Sequence, residues 1–409
     1  LMLVFYVATN EPILKIARVV LPAFVLLLLA PLLDLVFTRG FGHSILYLQP
    51  GYQIDIVRAY LSVGGGFKGV SVGIKCEIIA ALALCFLYFR QKKLAWIVSI
   101  FYVWLIYSVM FLWGSSPFLL KGLFNILDIG FEFSGYLMIQ YYLLLNFVLL
   151  LIVSYLAQPV LFMAIFCDAR WLRIMHYELL LLLGVTVGMC TNQASLLTQL
   201  RLNPEIISSS TLVSISLFFA SIFSIITNNV ADRKIDQISN QRRPLITLKV
   251  DLRDYLMVGY VALLLSLSYS FLVSPQAFLS MAAVIGAYYL YSMSPIRFKR
   301  VPLLSKIVIA FNSVVLLVLG YLLVQGGRYQ FPFTLIFIML TCMTVAGNVI
   351  DLKDVKGDQA DKINTLPILL GEKNAKRIIG LAYIVLYSGF VCLVSSLYWL
   401  FVFVAAGVA

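Results

Sequence analysis

The sequence predicts an all-α fold, a polytopic transmembrane helical bundle, and three observations predict it. Hydrophobic residues make up 62% of the 409 positions and charged residues only 12%, with a mean hydropathy of +1.00. A water-soluble fold has too little polar surface to cover that much apolar side chain. Apolar stretches of roughly 20 residues, the length a helix needs to cross hydrocarbon, recur along the chain, and the short segments between them hold nearly all the charge. Helices follow rather than sheets, because a helix satisfies its own backbone hydrogen bonds in lipid and an open sheet edge does not.

The apolar pattern places helices at 12–38, 73–89, 94–113, 136–166, 172–192, 208–227, 255–273, 276–292, 304–324, 331–350 and 376–396, with a further segment opening near 398. At about 27 residues the first stretch is too long for the apolar region of a signal peptide, and no small-residue cleavage site follows it, so it reads as a span. The chain opens on Leu1 and stops at Ala409 inside an apolar run. The expectation is a fragment with a helix lacking at its end.

A formal net charge of +12 raises the question of nucleic acid, but the basic residues form no patch with exposed aromatics. They follow topology instead. With the N-terminus in the cytoplasm, 23 of the 30 Lys and Arg fall on the cytoplasmic side, at Lys15, Arg18, 90–93, 170–173, 233–253, 297–306 and 353–377. That asymmetry is the positive-inside pattern. It predicts a multi-pass protein of the cell (inner) membrane with its site facing the cytoplasm, and no nucleic-acid partner. The cysteines Cys76, Cys85, Cys167, Cys190, Cys342 and Cys392 have no pair at metal or redox spacing and read as small apolar fillers.

Residues 1–167 hold four expected spans and a loop, 39–72, with His43 and the Gly64, Gly65, Gly66 run. The glycines lack the strand and helix context of a phosphate loop, and nothing in this module reads as chemistry. A second region, 168–409, opens on Asp168, Arg170 and Arg173, ahead of the span that carries His176 and Glu178. His176 reads as a satisfied interfacial residue.

Of the 18 acidic residues, four fall in 232–254 and four in 351–361. Asn228, Asp232 and Asp236 recur at i, i+4, i+8, one helical stripe about 12 Å long. Asp351, Asp354 and Asp358 recur at i, i+3, i+7 on one face. Four expected spans separate the two stripes, so both return to the same side of the membrane. An unpaired Asp at the centre of a span costs roughly 2.5–3.5 kcal/mol, so a positive group belongs between facing stripes. Hard divalent cations take oxygen ligands, and Mg²⁺ is held by one or two carboxylates with water and substrate phosphate. Basic motifs lie between the stripes: Arg242-Arg243-Pro244-Leu245, and Tyr291-Ser292-Met293-Ser294-Pro295-Ile296-Arg297-Phe298-Lys299.

The Asn-x-x-x-Asp-x-x-x-Asp stripe, the Arg-Pro-Leu, the Tyr-Ser-x-x-Pro-x-Arg-x-Lys and the Asp-x-x-Asp-x-x-x-Asp followed by Thr365-Leu366-Pro367 resemble, in order and spacing, the UbiA superfamily of intramembrane prenyltransferases over about 168–409. The resemblance implies a Mg²⁺-dependent transfer of a prenyl group from a polyprenyl diphosphate to a hydrophobic, aromatic or lipid-like acceptor, through ionisation to an allylic carbocation. Carried over, it implies Asn228, Asp232 and Asp236 on one metal side and Asp351, Asp354 and Asp358 on the other, with Asp232 and Asp354 the catalytic pair. Arg243, Tyr291, Arg297 and Lys299 would contact the diphosphate.

Three features depart from the family pattern. Asn229 stands where members commonly have Asp and is read as tolerated off the stripe. Lys353 and Lys356 replace residues that are often acidic. The family has nine spans, whereas seven and part of an eighth follow residue 168. Asp251 and Asp254, just ahead of an apolar run, read as a helix cap and a first-turn acid, and Asp361 with Lys362 as a solvated pair. Two other readings stay open: a UbiA-like terpene cyclase, and an ion-coupled transporter, although transporters place their acids near the midplane between repeats.

Overall fold

The computed structural model describes residues 1–40, 60–61, 71–126, 135–190, 204–233, 236–237, 243–247, 250–301, 303–325, 331, 333–360 and 364–393. His43, Gly64–Gly66, Asp361, Lys362 and the segment near 398 lie outside the described residues. Every regular element among those described is helical. Eight of the helices are long and apolar enough to cross a membrane, so the chain is a multi-pass membrane protein. Its contacts divide it into two compact units, Leu1–Pro159 and Val160–Ala409.

The first unit contains α1 (Met2–Thr9), α2 (Ile13–Ala23), α3 (Leu29–Phe37), α4 (Val72–Gln91), α5 (Trp96–Ile126) and α6 (Gly135–Ala157). The continuous helix expected over 12–38 is broken by a 3₁₀ turn at Phe24–Leu28. Pro22, inside α2, removes a backbone donor there, and a short 3₁₀ run absorbs the misfit. Helix α1 has no counterpart in the sequence expectation. Eight residues are too few to hold a helix alone, and packing holds this one: the Phe5 ring stacks on Phe89 at 5.0 Å between centroids. Asp34 is buried within an apolar span, and it accepts from Ser71 Oγ at 2.5 Å and Gly73 N at 3.0 Å. A carboxylate buried in this way needs such donors, and the pair fastens the start of α4 to α3.

The second unit contains α7 (Pro159–Asp168), α8 (Trp171–Cys190), α9 (Pro204–Ala231), α10 (Leu252–Val273), α11 (Pro275–Ser292), α12 (Leu304–Gln325), α13 (Phe333–Ala360), α14 (Leu366–Leu370) and α15 (Glu372–Leu393). The single helix expected over 136–166 ends at Ala157, because Pro159 suits a first helical position and not a continuing one. Helices α11, α13 and α15 occupy the expected spans 276–292, 331–350 and 376–396 but are not among the eight long apolar ones. α13 ends on, and α15 begins with, a charged turn that shortens its apolar length.

Helices α8 and α12 approach backbone to backbone. A Cβ on Gly184 would collide with the Leu317 carbonyl oxygen, and one on Gly320 with that of Leu181. Gly188, one turn further along α8, meets Val324 and Tyr321, one turn further along α12, and its carbonyl accepts from Gln325 Nε2 at 2.7 Å. The contacts advance together along both helices, so the two run parallel. Small residues let spanning helices close in this way where no hydrophobic drive acts between them. Helix α9 is buried along most of its length and is tied to α10 by Ser216 Oγ, which donates to the Ser266 carbonyl at 2.7 Å. Asp251 caps α10 by accepting from Arg253 N at 3.2 Å, as its sequence position implies.

The α8–α12 contact yields the first prediction. Gly320→Ala must push two backbones apart and should cost about 1–3 kcal/mol, read as a lowered melting temperature in detergent. Gly286→Ala, where nothing lies within 4 Å of the added methyl, should melt like the parent. Equal melting of both variants would rule out this packing.

Candidate active site

Parallel α8 and α12, with antiparallel helices between them, bring the starts of α8, α10 and α12 to the same end as the finishes of α9, α11 and α13. Side-chain contacts join them there. Asn229 of α9 donates through Nδ2 to Asp168 Oδ2 at 2.5 Å and to the Tyr255 hydroxyl of α10 at 2.8 Å. Ser292 of α11 reaches Asn228 Oδ1 at 3.3 Å. Lys306, in the first turn of α12, pairs with Asp351 of α13.

The first acidic stripe is where its spacing places it, at the end of α9. Asp232 accepts from Arg297 Nη2 at 2.6 Å and from Lys299 Nζ at 2.5 Å. Both cations come from the link between α11 and α12. Arg297 holds φ at 48°, in the left-handed region that a side chain with a Cβ adopts only when its surroundings impose it. Asp236 lies 3.9 Å from Arg243 Nε. Burial pushes its carboxyl above the ordinary aspartate value, against the pull of Arg243. The side chains of Asp354 and Asp358 lie outside the described ones. Asp351, buried beside Lys306, represents the second stripe.

One segment, residues 297–306, therefore sets a cation against a carboxylate of each acidic stripe: Arg297 and Lys299 on Asp232, Lys306 on Asp351. Asn228, Asp232 and Asp236 offer only oxygen donors for coordination, a set that suits a hard cation such as Mg²⁺. Among the described residues no three acidic, His or Cys side chains form a metal cluster.

A model of the UbiA prenyltransferase family matches residues 181–409, more than half of the chain. The chain belongs to that family. Among curated UbiA relatives, a digeranylgeranylglyceryl phosphate synthase from Methanobrevibacter smithii is 26% identical over 165 residues, 40% of this chain and 58% of its own. A protoheme IX farnesyltransferase from Alkalihalophilus pseudofirmus is 27% identical over 152 residues, 37% of this chain and 48% of its own. The chain thus spans about half the length of these relatives. A solved UbiA homologue from Archaeoglobus fulgidus, bound to DMAPP and Mg²⁺, aligns with a TM-score of 0.44 at 19% identity over 58% of this chain and 81% of its own.

Against the UbiA pattern, three residues change meaning. Arg243, which the resemblance implies as a diphosphate contact, is engaged with Asp168 at 2.6 Å and faces Asp236. Asn229 is not a neutral departure. Asp168 already stands beside it, and an amide donates to that carboxylate where an ionised aspartate could not. Lys306, read from sequence only as topological charge, is buried against Asp351. A basic residue in the first turn of an apolar helix was the available signal. Asp168 and Tyr255 carried none, since their roles depend on pairing across 61 and 26 residues.

Asn229→Asp tests this network. Two carboxylates at hydrogen-bond distance cannot both ionise, so the folded pair keeps a proton that the unfolded chain releases near its ordinary value of about 4. The folded state then binds more protons, and stability falls as pH rises. The variant should melt well below the parent at pH 7.5, with the gap narrowing toward pH 5. A gap independent of pH would count against the pairing.

Proposed function

We propose that the protein is an integral-membrane prenyltransferase that moves a polyprenyl group from a polyprenyl diphosphate to a lipid-like, hydrophobic or aromatic acceptor. The observation that carries this reading is the 297–306 segment, which sets basic groups against both acidic stripes at one end of the bundle. The curated relatives, a digeranylgeranylglyceryl phosphate synthase and a protoheme farnesyltransferase by name, support it.

The allylic C–O bond breaks with both electrons departing on the diphosphate. The acceptor nucleophile then gives an electron pair to the carbocation and releases a proton. Arg297, Lys299 and Tyr291 are proposed to hold the diphosphate oxygens, with Arg297 and Lys299 exchanging Asp232 for substrate. Charge that builds on the leaving group is stabilised by donors already in place. Arg243 positions Asp236 and Asp168 and does not bind substrate directly. Asn228, Asp232 and Asp236, with Asp351, Asp354 and Asp358, would hold Mg²⁺, which supplies positive charge to the departing diphosphate. Asp232 and Asp354 are the catalytic pair in this reading. The site is proposed to face the cytoplasm of the cell membrane. Residues 1–167 are proposed as a module that leaves the reaction type unchanged, because no titratable cluster there could share in ionisation.

The test is product formation by the full chain in lipid discs, with geranylgeranyl diphosphate, a panel of acceptors and a Mg²⁺ titration. Asp232→Ala and Asp354→Ala should cut turnover by about 10²-fold or more at saturating substrate. Asp251→Ala should cost about 1 kcal/mol of helix stability and spare turnover. Near-parental turnover in the first two variants, or without metal, would remove the prenyltransferase reading.

A further inference from the structure

Lys306 stands in the first turn of α12, at the end of a helix where the backbone dipole disfavours a cation, and it is buried. Its surroundings explain its presence. The stem lies along Gly347 of α13, where an added Cβ would come 3.0 Å from Lys306 Cδ and 3.6 Å from its Cβ and Cγ. Asp351, one turn further along the same face of α13, takes the ammonium. Helix α13 therefore offers a slot, with a glycine for the methylenes and a carboxylate for the charge, and the lysine head is aimed toward the charged end of the bundle.

Placement distinguishes this cation from the two on Asp232. Arg297 and Lys299 belong to the link between α11 and α12, so a change in the link can carry both away from the acid. Lys306 is fixed on a helix, and its side chain and that of Asp351 are each only 9% exposed. Removing either partner of such a pair leaves a buried charge uncompensated. A divalent ion brought to Asp351 meets the ammonium at close range, with little water to screen the repulsion.

We infer that Lys306 is a resident cation of the site: its ammonium stays on Asp351 when substrate is bound and takes the place of a divalent ion there, so that a single divalent ion, not one for each acidic stripe, accompanies the diphosphate. The ion count rests on the prenyl-transfer reading. One or two carboxylates, with water and phosphate oxygens, are enough to hold Mg²⁺, and Asp232 and Asp236 supply two. A charge built into the chain neutralises Asp351 at any metal concentration. Lys306 is thus a positioning residue, which acts through the carboxylate it holds and does not touch the prenyl group.

The experiment counts Mn²⁺, a paramagnetic substitute for Mg²⁺, on the full chain in lipid discs. Electron paramagnetic resonance reads the ion, and radiolabelled geranylgeranyl thiolodiphosphate, an analogue that resists ionisation, reads occupancy of the site. Empty discs with the same analogue correct for ions it binds by itself. With the analogue saturating, the parent should hold one Mn²⁺ per chain. Lys306→Met keeps the stem and removes the charge, and it should admit a second ion. Lys306→Arg keeps the charge and should hold one. A lysine that served packing alone would lower the melting temperature on replacement and leave the ion count unchanged. Two ions on the parent, or a folded Lys306→Met that still holds one, would overturn the inference and leave the prenyl-transfer reading standing. If Lys306→Met fails to fold, the parent count decides alone: one ion supports the inference and two overturn it. A parent that binds no analogue at any Mn²⁺ concentration would remove the prenyl-transfer reading, and the ion count with it.

Discussion

The backbone approach of α8 to α12 is the constraint from which the site follows. Gly184 and Gly320 let two helices, more than 100 residues apart in sequence, meet without side chains between them. The contact is parallel, so the starts of both helices lie at one end of the bundle. The three helices between them then bring the finishes of α9 and α11 and the start of α10 to that end. Packing of small residues is a weak force for each atom, but it is what remains when lipid and protein interior are equally apolar.

Charge is handled at that end by pairing. The acids of the two stripes would repel one another and resist burial alone. Each carboxylate described has a basic neighbour: Asp232 has Arg297 and Lys299, Asp236 has Arg243, and Asp351 has Lys306. Under the proposed prenyl transfer, the pairs on Asp232 would keep the place of the charges that an anionic substrate rearranges, and the same residues would serve both folding and chemistry.

Asp168 and Asn229 belong to a second layer that holds the first. Asp168 joins the finish of α7 to α9 through Asn229 and to the segment after α9 through Arg243, while Asn229 also reaches Tyr255 on α10. The amide at 229 is a consequence of that layer: beside a fixed carboxylate the position needs a donor. What looks like drift from the family pattern is local electrostatics.

The sequence by itself determined the all-helical membrane fold, because apolar length and charge placement are properties of contiguous residues and lipid admits few alternatives. It also determined the first acidic stripe, since helical spacing alone puts Asn228, Asp232 and Asp236 on one face, and it marked Asp251 as a cap from its place before an apolar run. The breaks at Phe24–Leu28 and Gln158 were harder to read, because an apolar stretch stays apolar across a proline. The tertiary structure alone decided which partner each charge takes. Arg243 turns to Asp168 and Lys306 to Asp351, because those pairings join residues on different elements. Their geometry depends on how closely two glycines let α8 and α12 approach.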